Sequence, residues 1–157
     1  MPLQVAVCGP RNCPEGDWTR AYEVGRLLAE REAVLVCGGH GGVMAAAAAG
    51  ARSCGGIVIG VLPGADRAGA SPDLTVAVPT GLGEGRNNVI VNCADAVIVV
   101  GGSWGTLSEL ALAMRAGRVP VVQLGGWRVL DEEGRPLSGI RHAATPEEAL
   151  ALTGLWD

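Results

Sequence analysis

The chain has 157 residues, of which 48% are hydrophobic, enough for a single core-forming domain spanning residues 1–157. Its net charge of −4, with twelve arginines scattered singly, argues against a nucleic-acid or anionic-membrane partner. Lysine is absent, which excludes Schiff-base and pyridoxal phosphate chemistry and a Walker-type phosphate loop, since each needs a lysine amine.

Short apolar runs rich in Val and Ile alternate with helical patterns along the chain. Strands are expected at Gln4–Cys8, Val34–Cys37, 57–62, 75–78, Ala96–Val100 and 119–124. Between them the spacing predicts helices over 17–31, with Asp17 as its cap, 42–51, Arg86–Cys93 and 106–116. The alanine-rich stretch Ala46–Ala49 belongs to the second of these and permits close packing on a sheet. Asp131-Glu132-Glu133-Gly134 reads as a turn after the sixth strand. Thr145-Pro146-Glu147-Glu148 is a capping box with proline at the first helical position, opening a last helix that ends near Thr153. This order predicts an α/β, Rossmann-like, doubly wound and mainly parallel sheet of about six or seven strands, with helices on both faces.

Every apolar run is broken by Gly, Pro or charge before it could span a bilayer. The start, Met1-Pro2-Leu3-Gln4-Val5, lacks the basic residues and longer apolar core of a secretion signal. The expectation is a cytoplasmic protein without a membrane partner. Of the five cysteines, no two have the spacing of a zinc knuckle or a redox motif, and the odd number speaks against a disulfide framework. Cys8 and Cys37 fall at strand ends, where a thiol acts as a small buried apolar group.

In parallel sheets ligands bind at the carboxyl ends of strands, near a switch in strand order. Three glycine-bearing turns fall at such ends: one at Gly9, one at Gly38-Gly39-His40-Gly41-Gly42, and one at Gly101-Gly102-Ser103-Trp104-Gly105-Thr106. A glycine turn before a helix leaves backbone N–H groups free to hold a phosphate. The same glycines serve equally to let a helix approach a sheet. No G-x-G-x-x-G follows the first strand, which argues against a nicotinamide cofactor and toward a mononucleotide or sugar phosphate.

Single residues carry two readings each. Glu109 is either a ligand carboxylate or the last member of a capping box, Thr106-Leu107-Ser108-Glu109. Arg86 is either a surface arginine or the partner of a bound anion, for which a guanidinium is suited. Ser103 caps or binds phosphate, Trp104 stacks on a base or covers the pocket, and His40 either faces the ligand or plays no part in binding it. His142 reads as surface.

Taken in order, Gly38-Gly39-x-Gly41-Gly42-x-Met44, Arg86 and Gly101-Gly102-x-x-Gly105-Thr106-x-x-Glu109 resemble the LOG-like family. That group carries an old lysine decarboxylase label, and its best-known members are cytokinin riboside 5′-monophosphate phosphoribohydrolases. The resemblance covers most of the chain, from Val5 to about Leu124, and implies that Arg86 and Glu109 are the catalytic pair. The glycines, Met44, Ser103, Trp104 and Thr106 would bind a nucleotide-like phosphorylated ligand. It implies no metal and no cofactor, and a homodimer. The hydrolase signature places lysine after the arginine and glutamate two residues further on, where this chain has Asn87 and Val89. The Arg-Asn form is more similar to a branch that includes molybdenum cofactor carrier proteins. Two functions are therefore expected: N-glycosidic hydrolysis of a nucleoside 5′-monophosphate, or carriage of a phosphorylated ligand without turnover.

Overall fold

Seven parallel strands lie side by side in a computed structural model that describes residues 1–157. The strands are β1 (Gln4–Cys8), β2 (Val34–Cys37), β3 (Val58–Leu62), β4 (Val76–Pro79), β5 (Ala96–Val100), β6 (Val121–Leu124) and β7 (Ile140–Ala143). Their order across the sheet is β4-β3-β2-β1-β5-β6-β7. Residues of β1, β2 and β5 are almost all buried, which is why these strands read as unbroken apolar runs rather than as alternating ones. The helices are α1 (Glu15–Glu30), α2 (Val43–Ser53), α3 (Arg86–Cys93), α4 (Trp104–Ala116) and α5 (Pro146–Thr153), with a single 3-10 turn at Gly83–Gly85 before α3.

The chain winds outward from β1 in both directions. Successive crossovers through α1 and α2 build one half of the sheet, and α3 carries the chain back to β5 beside β1. Val5 thus pairs with Leu35 on one side and Ala96 on the other. Strand order reverses at β1, and the loops after β1 and β5 part there. At the opposite end of these strands Asp95 locks the same pair, its Oδ2 accepting the Gln4 N–H at 2.8 Å while its own N–H donates to the Gln4 carbonyl at 2.7 Å.

The two faces are unequal. Helices α1, α2 and α5 bury a cluster of 24 residues, whereas α3 and α4 bury 12 and leave Val89, Leu107, Leu112 and Met114 only partly covered. Helix α1 buries Ala21, Val24, Gly25 and Leu28, an i, i+3, i+4, i+7 stripe. The alanine-rich α2 meets it at backbone distance. A Cβ on Gly25 would stand 2.0 Å from the Ala47 carbonyl oxygen, and one on Gly50 would stand 1.9 Å from that of Tyr22.

Most boundaries fall within two residues of those the sequence suggests, but two helix starts and one strand differ for a physical reason. Helix α1 starts at Glu15 behind Pro14, so Asp17 is not its cap; it sits in the first turn, favourable to the helix dipole, and pairs with Arg20 at 3.0 Å. Helix α4 starts at Trp104, two residues before the expected position, because Ser103 is its N-cap. The strand β7 carries Ile, Arg, His and Ala at the sheet's edge, and such a mixture gives no apolar run; His142 on it is half-buried, not free on the surface. The Thr145 box forms as expected, with the Glu148 N–H on Thr145 Oγ1 at 3.1 Å and the Glu148 carboxylate on the Ala144 N–H at 2.8 Å. No helix is long and apolar enough to cross a membrane.

Candidate functional site

The loops that follow β1, β2 and β5 meet at the switch in strand order, as their positions at three adjacent strand ends require. Gly42, at φ +62°, lies so close to the first loop that a Cβ there would come within 2.3 Å of the Pro10 and Arg11 carbonyl oxygens. A Cβ on Gly9 would come within 2.4 Å of Val43 and 2.5 Å of the Val100 carbonyl. Between these loops opens a cleft of about 280 Å3 with only one hydrophobic residue in its wall.

Helix α4 supplies one wall. Ser103 Oγ accepts the Thr106 N–H at 3.2 Å and lies 2.8 Å from Thr106 Oγ1, so the first turn is pinned by its own cap. The N–H groups of Trp104 and Gly105 have no partner that the helix can provide, and Ser103, Gly105 and Thr106 all line the cleft. With Ser103 as cap, Glu109 falls in the second turn and cannot reach back to the helix start. The capping-box reading of Thr106 to Glu109 is thereby corrected: Glu109 lines the cleft instead.

Its surroundings set its protonation. Burial raises the Glu109 carboxyl above the usual range, and the nearby Glu84 carboxylate adds to the rise; the Cys8 thiol and the Arg86 charge work against it. The Cys8 thiol is pushed up by burial first and by Glu109 second. Cys37, on the other face of the sheet, is held at about 11 by burial. Neither thiol is a nucleophile at neutral pH.

Arg86 opens α3 and is buried. Its Nη1 donates to the Gly38 carbonyl at 2.6 Å and the Val61 carbonyl at 2.8 Å, and its Nε donates to Asn87 Oδ1 at 3.0 Å. The amide of Asn87 in turn reaches Glu84 at 3.4 Å. Arg86 therefore ties the ends of β2 and β3 together while also lining the cleft. No ion pair joins Arg86 and Glu109; the charge of one acts on the other across the cleft. A Cβ on Gly38 would meet Arg86 Nη1 at 3.0 Å and Met44 Sδ at 2.6 Å, so this glycine makes room for the guanidinium.

Of the residues singled out in the sequence, Gly9, Met44, Arg86, Ser103, Gly105, Thr106 and Glu109 share the cleft, together with His40. His40 donates from Nδ1 to the Gly69 carbonyl at 3.0 Å, which leaves Nε2 as its open nitrogen. Gly38, Gly39, Gly41, Gly42, Gly101 and Gly102 stand outside the cleft wall. Gly39 packs on Leu62, Gly101 against Asp17 and Gly102 under Trp127. Trp104 is exposed at the rim. Pro10, Arg11, Pro63 and Glu84, not singled out as site residues in the sequence, complete the wall. A signal for Arg11 was present: it directly follows Gly9-Pro10, at the end of the strand where the winding reverses. Nowhere does the chain gather three His, Cys, Asp or Glu side chains that could hold a metal ion.

The SLOG cluster4 family profile matches residues 2–150. The chain belongs to that family. Among its relatives is a cytokinin riboside 5′-monophosphate phosphoribohydrolase of Mycobacterium tuberculosis, 35% identical over 128 residues, which are 76% of this chain and 68% of that protein. The molybdenum cofactor binding protein of the phototrophic bacterium Rippkaea orientalis superposes with a TM-score of 0.88 at 34% identity, covering 97% of this chain and 95% of that one. The molybdenum cofactor carrier protein of Chlamydomonas reinhardtii gives a TM-score of 0.82 at 31% identity, covering 96% and 95%. The LOG-like resemblance and the Rossmann-like fold both hold within the SLOG cluster4 family.

Proposed function

We propose that this SLOG cluster4 protein binds a phosphorylated heterocyclic small molecule, in the class of nucleoside 5′-monophosphates and pterin-type cofactors, and holds it as a carrier. The observation that carries the reading is the first turn of α4. Unpaired N–H groups at Trp104 and Gly105 stand at the positive end of a 13-residue helix, beside Arg11 and Arg86. A phosphate there meets donors on several sides without any metal. Glu84 and Glu109, which also line the cleft, are acceptors for hydroxyl or ring N–H groups of the same ligand.

The carrier reading is favoured over turnover by the way Arg86 is spent. Three of its hydrogen bonds go to Gly38, Val61 and Asn87, and it makes no ion pair with Glu109. The resemblance to molybdenum cofactor carriers over nearly the whole chain supports the same reading.

A second reading, hydrolysis of the N-glycosidic bond, is favoured by one specific feature. A carboxyl whose pKa is raised by burial, as at Glu109, is suited to protonate a departing base. Incubation with adenosine and guanosine 5′-monophosphates separates the two. Saturable binding with the nucleotide recovered intact is expected of a carrier; release of free base by the wild type, abolished in Glu109→Gln, would establish the hydrolase. Absence of binding to either nucleotide and to any pterin phosphate would refute the shared part.

A further inference from the structure

Arg86 carries a buried positive charge that no carboxylate of the chain neutralises. It is 8% exposed, and none of the protein's ion pairs includes it. Its hydrogen bonds go to neutral oxygens alone, the Gly38 and Val61 carbonyls and Asn87 Oδ1. A cation buried in this state is costly to a fold, because removal from water is offset only where an opposite charge stands beside it. Yet a carboxylate is near. Glu84 lies two residues before Arg86, in the 3-10 turn that leads into α3, and both residues line the cleft.

Asn87 stands between the two. It is 1% exposed and forms no part of the cleft wall. Its amide oxygen accepts Arg86 Nε at 3.0 Å, and its amide nitrogen donates to Glu84 Oε2 at 3.4 Å. An amide does both at once and stays neutral; an aspartate would have no donor, and a lysine no acceptor. The Gly38 and Val61 carbonyls hold the guanidinium from its other end, so Arg86 is fixed in place with its charge intact.

We infer that Asn87 is an insulating spacer. It keeps Arg86 and Glu84 as separate cationic and anionic points of the cleft, and thereby sets the preference of the cleft for a ligand that bears a phosphate. This rests on the proposed function, in which Arg86 stands beside that phosphate. Without the amide, Glu84 is free to pair with Arg86, and a phosphate must then displace a carboxylate already in place. With an aspartate at position 87 the guanidinium is neutralised outright. In either case the attraction lost is the one felt by the phosphate. Asn87 is thus a positioning residue that acts through Arg86.

The test compares guanosine 5′-monophosphate with guanosine by calorimetric titration of the full chain, because the ratio of the two affinities isolates the phosphate. The variants are Asn87→Asp, Asn87→Ala, and Asn87→Ala combined with Glu84→Gln. The wild type should favour the nucleotide at least about tenfold. Asn87→Asp, which keeps the shape of the side chain and an acceptor for Arg86 Nε, should lose most of that ratio. Asn87→Ala should lose it likewise, and adding Glu84→Gln should restore it, since a neutral amide at position 84 forms no ion pair with Arg86. A purely structural Asn87 gives no such rescue. A ratio that stays low in the double variant overturns the inference, and so does an Asn87→Asp protein that keeps the wild-type ratio; if Asn87→Ala does not fold, Asn87→Asp decides alone. A wild type that binds nucleotide and nucleoside equally overturns the proposed phosphate site along with the inference.

Discussion

Gly105 is the position where fold and ligand make opposite demands. It lies in the first turn of α4 with no left-handed backbone to require a glycine, and a Cβ there would have no neighbour nearer than Ser103 Oγ at 4.0 Å. Nothing in the protein itself accounts for a glycine, which costs a helix about 0.5–1 kcal/mol relative to alanine. Gly105→Ala should therefore raise the ligand-free melting temperature by about 1–4 °C, given about 2–4 °C per kcal/mol in a chain of this size. The same methyl group stands on the cleft wall, beside an N–H assigned to the phosphate. Loss of one hydrogen bond to a charged group, about 1.5–3 kcal/mol, weakens binding about 10- to 150-fold. Scanning calorimetry without ligand and titration with guanosine 5′-monophosphate read the two effects separately. A variant that is more stable and binds as tightly as wild type would refute the placement of the phosphate; a variant that is less stable would refute the claim that the fold has no use for this glycine.

Other residues give sharp expectations. Gly50→Ala must push α2 off the Tyr22 carbonyl of α1 and should cost about 3 kcal/mol, read as a lowered urea midpoint. Glu32, at φ +57° just after α1, occupies a left-handed position, and Glu32→Gly should stabilise the chain by up to about 1 kcal/mol in the same assay. Arg86→Lys leaves the Gly38 and Val61 carbonyls and the Asn87 amide short of a donor. It should lower stability by about 2–4 kcal/mol even without ligand, so that the melt changes before any binding is measured. Because the folded chain holds the Glu109 proton more tightly than the unfolded chain does, stability falls as pH rises from the unfolded carboxyl value through the raised one. Glu109→Gln removes that loss, so its melting temperature should exceed that of the wild type at pH 8 by more than at pH 4. An equal difference at both would show that Glu109 titrates normally.

The sheet was legible because its central strands are buried on both faces, so Val5–Cys8 and Ala96–Val100 have no polar residue to confuse the pattern. The edge strand Ile140–Ala143 was not, since an edge tolerates Arg141 and His142. Residues that open α4 misled for a physical reason: Trp104 and Gly105 are weak helix formers, and Thr106 is a good cap, yet Ser103 takes that role. That shift of one turn decides whether Glu109 serves its own helix or the cleft. The meeting of the glycine turns followed from strand order alone. The part played by Arg86 in tying β2 to β3 did not, because Gly38 and Val61 lie 48 and 25 residues away along the chain.

The unequal coverage of the sheet has a mechanical consequence. On the α1 and α2 side, helix backbones touch through Gly25 and Gly50, and no side chain there can yield to let the layers slide. On the α3 and α4 side, half-covered aliphatic residues leave slack, and that side carries Arg86, Glu109 and Trp104. One wall of the cleft is thus an anvil and the other a spring. Whatever the cleft grips, the give belongs to α3 and α4, whose amides should exchange with solvent sooner than those of α1 and α2 and should slow most when ligand is bound.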